Sequence, residues 1–477
     1  MIPTHGTHGQ IPDPAQWIPV QQVAVKAAFP HTREWRLQAM IHARRYTPTS
    51  TRFFTWILRH TVGRFLKNRY RVTGLGTELF ASLKPPFILV GNHTTIMDPF
   101  ITNFFVPHPV HWIASDGNMR IPILRFLLLK LVGTIPKSKA IPDIETVNWI
   151  VTFIRKRTHV VGFYPEGQAT WNGRSLPSFG STAKLMKLLK VPVVLAMSRG
   201  AYMSKPRWTH NLRPGGMEIE FSVLFTPEQL KEMPVSGIDE ALDAALKHDD
   251  PAWAHAAGRA YDSKARAEHL ELALFACPSC GALHTLKSKG NILTCMACGL
   301  SVEYGKEGRF AMKDRGAGQG SFLPDAGQGD GASFFSCIAE WEIWQRTHLR
   351  RLLEDIFMAR PDCSIFEDAE VTLLSGSRMD SMKPLGKGRL SLSSSHLSFT
   401  TGHGACTRFE PARIEGAGVL KWNHLEFYVG KTVYRLRFSD PKASGYKYAV
   451  ALELLTRPGT RELRASRNDA SLPESGK

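Results

Sequence analysis

Cysteine is scarce, with seven in 477 residues, too few for a disulfide-stapled secreted scaffold. Charge is modest as well: 21% of residues are charged and 43% are apolar. That balance excludes a fully disordered chain and leaves enough apolar side chain for at least one sizeable core. No convincing membrane span is present. The most apolar stretch, IPILRFLLLKLVGTI at 121–135, is shorter than the roughly 20 residues a spanning helix needs, and Arg125 and Lys130 interrupt it. Residues 1–21 are polar and contain prolines, without the apolar segment of a secretory signal. The expectation is a cytoplasmic protein, soluble or peripheral. The length suggests roughly two to four domains.

What the chain has in excess is positive charge, a formal +18. This implies an anionic partner surface, nucleic acid or membrane phosphate. Residues 35–77 hold nine Lys or Arg and no Asp or Glu. Within them, TRFFTWILRHTVGRFLKNRYR at 51–71 places Phe54, Ile57, Leu58, Val62, Phe65 and Leu66 at helical spacing. Arg52, Arg59, Lys67 and Arg69 fall largely on the other face. That pattern suits an interfacial helix on anionic lipid. It also suits an ordinary amphipathic helix over a core, and phosphate of nucleic acid would accept the same cations.

Short apolar runs then alternate with helical patterns. Residues 86–91, 159–163, 191–197 and 217–225 read as strands, and 146–157 and 181–190 as helices, which argues an α/β domain with a mixed sheet flanked by helices. The expected boundaries are an N-terminal extension at 1–49, the α/β domain at 50–230 and a helical connector at 231–274. A four-cysteine unit comes next at 275–302, then a linker and helix at 303–370 that includes a Gly-rich loop at 316–333. A β-rich module at 371–460 precedes a disordered tail at 461–477.

The sharpest signal is LVGNHTTIMDPF. Asn92 and His93 follow a strand, and Asp98 lies five residues after His93, with Pro99 next to it. Asp98-Pro99 reads as a helix start, with Asp as N-cap and Pro at the first helical position. Residues five apart in one continuous helix lie about 140° apart, so contact between His93 and Asp98 needs this break. A carboxylate bonded to one imidazole nitrogen fixes the tautomer and stabilises the imidazolium, freeing the other nitrogen to take a proton from a hydroxyl. Ligands of open α/β sheets bind at the carboxyl ends of strands. An isolated H-x4-D is equally compatible with a capping Asp and a surface His; a metal pair has no third ligand nearby. A second loop, Tyr164-Pro165-Glu166-Gly167, leaves another strand, and Arg174 beyond it has the planar fork that suits phosphate.

Together these loops resemble the glycerolipid acyltransferase family, typified by 1-acylglycerol-3-phosphate (lysophosphatidate) acyltransferase. Asn92, His93 and Asp98 match the family's N-H-x4-D block. Pro165, Glu166 and Gly167 match its F-P-E-G-T-R-S block, whose final Thr, Arg and Ser are replaced here by Gln168, Ala169 and Thr170. Gly133 to Lys137 resembles the second block, with Lys for Arg, and Val191-Pro192-Val193-Val194 resembles the fourth. The resemblance covers roughly residues 50–225. It implies transfer of an acyl group from acyl-CoA or acyl-carrier protein to a lysophospholipid hydroxyl, with 1-acyl-sn-glycerol-3-phosphate the leading acceptor. His93 would be the base and Asp98 its partner. Asn92, Lys137, Glu166, Gly167 and Arg174 are the expected substrate-binding residues. It also raises the weight of membrane binding by 51–71, peripheral at the inner face of the cell membrane, with no nucleic-acid partner. The alternative is a catalytically degenerate member acting as a lipid- or protein-binding module.

Independently, Cys277-x2-Cys280 and Cys295-x2-Cys298, each knuckle followed by Gly, suit a tetrahedral zinc held by four thiolates. Two short strands with a Lys-Gly-Asn turn between the knuckles resemble a zinc ribbon, and the zinc would be structural. Cys337, Cys363 and Cys406 read as buried small hydrophobes. The stretch 341–353 is an amphipathic packing helix. The alternating strands from about 371, closed by a helix at 447–455, weakly resemble a pleckstrin-homology-like or GRAM-like barrel.

Overall fold

The computed structural model describes residues 48–50, 52–138, 143–156, 159–314, 335–359 and 362–456. The Gly-rich loop, the tail and nearly all of the N-terminal extension lie outside these residues.

The N-terminal half is a seven-stranded sheet flanked by helices. Its strands are β1 (Val72–Leu75), β2 (Phe87–Gly91), β3 (Val110–Ser115), β4 (Ile135–Lys137), β5 (Val160–Phe163), β6 (Val193–Arg199) and β7 (Met217–Phe225). Their spatial order is β1-β7-β6-β2-β5-β3-β4. All neighbours are parallel except β6 and β7, which run antiparallel. The sheet is therefore mixed. Strand β2 lies between β5 and β6 and is buried at every position. Phe87 and Leu89 enter the core on one face, Ile88 and Val90 that on the other, which explains an unbroken apolar run rather than alternation. Strands β1, β3 and β4 carry no uninterrupted apolar run to mark them: β1 is VTGL, β4 is IPK, and β3 holds His111 and Ser115 among its apolar residues.

The basic segment is helical from Arg52 to Leu58 and from Arg64 to Tyr70, joined by a π-helical turn at Arg59–Gly63. Phe54, Ile57, Leu58 and Leu66 face inward to differing degrees. Val62 and Phe65 do not: they are 40% and 64% exposed. The π-turn inserts a residue into the helical phase, so a uniform 3.6-residue period misplaces the faces of the residues beyond it. Phe53 and Trp56 are exposed too. The apolar stretch at 121–135 is a short helix, Pro122–Phe126, a π-helical segment, Leu127–Val132, and the start of β4. Ile121, Ile123 and Phe126 face solvent. The first helix begins beside it, where Thr49 N–H donates to the Leu129 carbonyl at 2.7 Å.

The C-terminal half shares one continuous core. It holds the four-cysteine unit, helix Ile338–Ala359 and a β-rich region. The cysteine unit is a four-stranded antiparallel sheet, β8 (Leu286–Lys289), β9 (Ile292–Cys295), β10 (Ser301–Tyr304) and β11 (Phe310–Asp314). The β-rich region has seven consecutive antiparallel strands: β12 (Phe366–Ser377), β13 (Lys383–Leu392), β14 (Leu397–Thr401), β15 (Cys406–Phe409), β16 (Glu415–Leu420), β17 (His424–Val429) and β18 (Thr432–Phe438). Helix Gly445–Leu455 closes it. Cys337 is buried as expected. Cys363 and Cys406 are exposed instead, on a surface turn and on the edge strand β15.

The halves are keyed together by buried charge. Arg120, beyond the end of β3, donates to Glu426 of β17, to Asp116 at 3.3 Å and to Tyr428 at 3.2 Å. Tyr428 O–H donates to Asp116 at 2.8 Å. Arg378 pairs with Asp143 at 2.9 Å and Glu145 at 2.6 Å.

Candidate active site

The carboxyl ends of neighbouring strands β2 and β5 bring the two sequence motifs together. Their register pairs Val90 with Phe163, so the loops beginning at Asn92 and Tyr164 emerge side by side. Asn92 is fully buried. Its amide N–H donates to Ser198 O and its amide oxygen accepts from Ser198 N–H, both at 2.8 Å. Both polar ends of Asn92 therefore tie β2 to β6 and serve as a strut for the loop.

His93 Nδ1 lies 2.9 Å from Asp98 Oδ2. The same carboxylate oxygen accepts the backbone N–H groups of Thr94 at 2.8 Å and Thr95 at 2.9 Å. Asp98 is 1% exposed. An ionised carboxylate only accepts, so Nδ1 carries the proton and Nε2 keeps its lone pair. The His93 side chain is 20% exposed, enough for a substrate hydroxyl to reach it. The helix spans Asp98–Phe105, with Met97 in the capping position and no side-chain cap. Asp98 therefore reaches back to the preceding turn and the imidazole instead of capping forward, because the amides of Thr94 and Thr95 already hold its carboxylate.

Two aromatics complete the support. Tyr164 stacks on the His93 ring at 4.4 Å and 15°, and Trp112 stacks on Tyr164 at 5.1 Å and 7°. A π face against an imidazole favours the cationic ring. Burial, with Asp98 adding to it, raises the Tyr164 phenol well above its usual value; it is an uncharged plate at neutral pH. Sequence reasoning missed this stack. Tyr in place of Phe at 164 was visible, but nothing local pointed to Trp112.

Glu166 is buried and occupied. Its Oε1 accepts the His93 N–H at 2.7 Å and its Oε2 the Leu176 N–H at 2.8 Å. Burial pushes its carboxyl up to about 8, with those two N–H donors pulling the other way. Glu166 thus holds the backbone under the imidazole. Gly167 adopts φ +70°, and a Cβ there would lie 2.3 Å from the Phe179 ring; only glycine suits that turn. Arg174 Nε donates to Asp249 at 2.7 Å. Lys137 is exposed at the end of edge strand β4, three strands from β2, about 14 Å by strand spacing. At Ala169, where the family block has Arg, another guanidinium approaches: Arg207 Nη1 donates to the Ala169 carbonyl at 2.8 Å. No motif flagged Arg207.

Residues 53–197 match the acyltransferase family model. This segment is an acyltransferase domain. The four stretches that resemble the glycerolipid acyltransferase blocks fall inside it, and acyl transfer is the chemistry it implies. Among solved structures, the 1-acyl-sn-glycerophosphate (LPA) acyltransferase PlsC from Thermotoga maritima is similar at 17% identity. That likeness covers 45% of this chain and 87% of that one, with TM-score 0.34. A chain of the 8S snRNP assembly intermediate is similar at 17% identity, over 20% of this chain and 84% of that one, with TM-score 0.16. Likeness at this level says nothing of substrate. A search of curated proteins found no match.

The four cysteines converge away from this domain. Their Sγ atoms lie within 4.8 Å of one another, with Cys277–Cys298 at 3.7 Å and Cys280–Cys295 at 3.8 Å. A tetrahedral site with metal–sulfur bonds of about 2.3 Å requires sulfurs about 3.8 Å apart. The two knuckles are equivalent: Gly281 N–H donates to Cys277 O at 2.8 Å and Gly299 N–H to Cys295 O at 2.9 Å. The donor set fits a metal ion.

Proposed function

We propose that the acyltransferase domain moves an acyl group from acyl-CoA or acyl-carrier protein to the free hydroxyl of a lysophospholipid, with 1-acyl-sn-glycerol-3-phosphate the leading acceptor. The His93–Asp98 pair at 2.9 Å, with the His93 side chain partly exposed, carries this reading. Asp98 holds the proton on Nδ1, so Nε2 can remove the acceptor's hydroxyl proton as the oxygen attacks the thioester carbonyl. The tetrahedral intermediate collapses, the carbon–sulfur bond breaks, and the imidazolium returns its proton to the departing thiolate. Asp98 and the Tyr164 face both stabilise the cationic ring between these steps. No acyl-enzyme is needed.

The acceptor is a membrane lipid, and the exposed Phe53 and Trp56 of the basic helix, with Ile123 and Phe126 of helix Pro122–Phe126, supply the apolar side chains for contact with it. Among the described residues no helix is long and apolar enough to cross a membrane. Peripheral docking on an anionic inner leaflet is the corresponding mode. The C-terminal β-rich region, in this reading a pleckstrin-homology-like module, stands next to the domain. Cys277, Cys280, Cys295 and Cys298 would hold zinc; a closed four-thiolate set leaves no open position, so its contribution is to folding.

The test is acyl transfer by the purified full chain to a panel of lysolipids, read by mass spectrometry. Product with the native chain and none with His93→Ala supports the proposal. Absence of product with every acceptor, or full activity in the variant, removes it and leaves a degenerate lipid- or protein-binding member.

A further inference from the structure

Beside the catalytic turn lies a cavity of about 580 Å³ that the motif blocks do not describe. Its wall includes Met97, the residue before Asp98, together with Phe65, Arg69, Lys205, His210 and Lys264. Apart from Met97, these come from three separated parts of the chain: the end of the basic helix, the loop after β6 and the segment near 264. Two of the three lie beyond the segment matched to the acyltransferase family.

The chemistry of the wall is one-sided. No carboxylate lines the cavity. Two carboxylates adjoin lining residues in sequence: Asp98 is taken up by the His93 ring and the Thr94 and Thr95 N–H groups, and Asp262 is held by Arg266 at 2.7 Å and Lys306 at 2.8 Å. Among the described residues, Arg69, Lys205 and Lys264 have no ion-pair partner. A field of three unneutralised cations around one concavity concentrates anions. His210 adds a ring nitrogen; burial, then His269 and Lys205, lower its pKa, so it stays neutral and able to donate an N–H. Phe65, 64% exposed, offers an aromatic face at the rim.

The cavity also adjoins the reacting centre. Tyr70 lines it, and its phenol is pushed up to about 12 by burial and by the nearby Asp98 carboxylate. It is distinct from the exposed Phe53 end of the basic helix, since Phe53 and Phe65 are twelve residues apart on the helix, about 18 Å at its rise per residue.

We propose that this cavity binds the phosphate-bearing nucleotide end of the thioester donor: Arg69, Lys205 and Lys264 meet the phosphates, and Phe65 offers a stacking face to the base. This rests on the acyltransferase reading above. Three dispersed cations suit a ligand with several phosphates better than an acceptor with one. The flexible arm of such a donor would lead past Met97 toward His93.

The experiment compares the full chain with the triple variant Arg69→Gln, Lys205→Gln, Lys264→Gln, and with the charge-keeping triple Arg69→Lys, Lys205→Arg, Lys264→Arg. Binding of coenzyme A without an acyl group is measured by calorimetry, and KM for acyl-CoA and for the lysolipid by steady-state kinetics. The neutral triple should weaken coenzyme A binding and raise the acyl-CoA KM about tenfold or more, with kcat and the lysolipid KM within about twofold. The charge-keeping triple should restore most of the binding. Unchanged coenzyme A binding in the neutral triple overturns the proposal, and so does a rise confined to the lysolipid KM, which gives the cavity to the acceptor's phosphate. Coenzyme A binding lost in the neutral triple, in a native chain that transfers no acyl group, would uphold the site while removing the acyltransferase reading.

Discussion

Replacing Asp98 with Asn tests the site most directly, because it exchanges a single heavy atom of a fully packed group. In the native chain Asp98 Oδ2 accepts from three donors, the His93 ring and the N–H groups of Thr94 and Thr95. An amide satisfies all three only with its oxygen in the Oδ2 position. With its NH2 toward the ring, it favours the tautomer carrying the proton on Nε2, and His93 then has no lone pair to offer an alcohol. With its oxygen toward the ring, its NH2 takes the other carboxylate oxygen's place, facing the Thr94 hydroxyl, and no negative charge remains to stabilise the imidazolium. In serine protease triads the same change costs about 10⁴ in kcat through the wrong tautomer. We expect a fall of about 10³ to 10⁴ here, or about 4 to 5.5 kcal/mol in the barrier, with KM little altered. A strained or unsatisfied buried N–H would add about 1–3 kcal/mol of lost stability. Steady-state acyl transfer measures the first, and denaturant unfolding the second. A variant within tenfold of native kcat would refute the assignment of His93 as an Asp98-oriented base.

Glu166, raised to about 8 by burial, binds a proton in the folded chain that it releases when unfolded above its ordinary carboxylate range. Its contribution to stability is therefore greatest below about pH 4.5 and declines toward pH 8; the denaturation midpoint of Glu166→Gln should lack this part of the native chain's decline over that window. Metal analysis of the purified protein should find about one zinc per chain, and removal by a chelator or Cys295→Ser should lower the melting temperature, since four thiolates left without a metal repel or protonate. Exchanging Trp56, Ile123 and Phe126 for Ser should weaken sedimentation with anionic vesicles, each loss costing up to about 1.5–3 kcal/mol if the side chain is fully inserted. An unchanged vesicle affinity would remove those side chains from membrane contact.

Much of the central sheet was legible because β2, β5 and β6 are buried on both faces and read as uninterrupted apolar runs. Strand β7 was legible in full. The pairing of His93 with Asp98 could be inferred from their spacing across a helix start. The sequence was less informative wherever a residue's role depends on a distant partner. Asn92, Glu166 and Arg174 look like ligands for a substrate, yet Ser198, the His93 and Leu176 amides and Asp249 already engage them. The π-helical turn at Arg59–Gly63 leaves no local mark, so the outward turn of Val62 and Phe65 could not be read. The cysteine spacing disclosed a four-sulfur cluster, but not β10, β11 or the core it shares with helix Ile338–Ala359.

The salt-bridged seam joining Arg120 and Asp116 to Glu426 and Tyr428 bears on how this chain can be dissected. Cutting it after the last strand of the N-terminal sheet would strand an arginine and an aspartate that the intact molecule keeps from water, and stranding buried ions is costly. A shortened enzyme made that way would inherit a wound beside the loop after β3, and any loss of turnover would report on that wound as much as on the missing half.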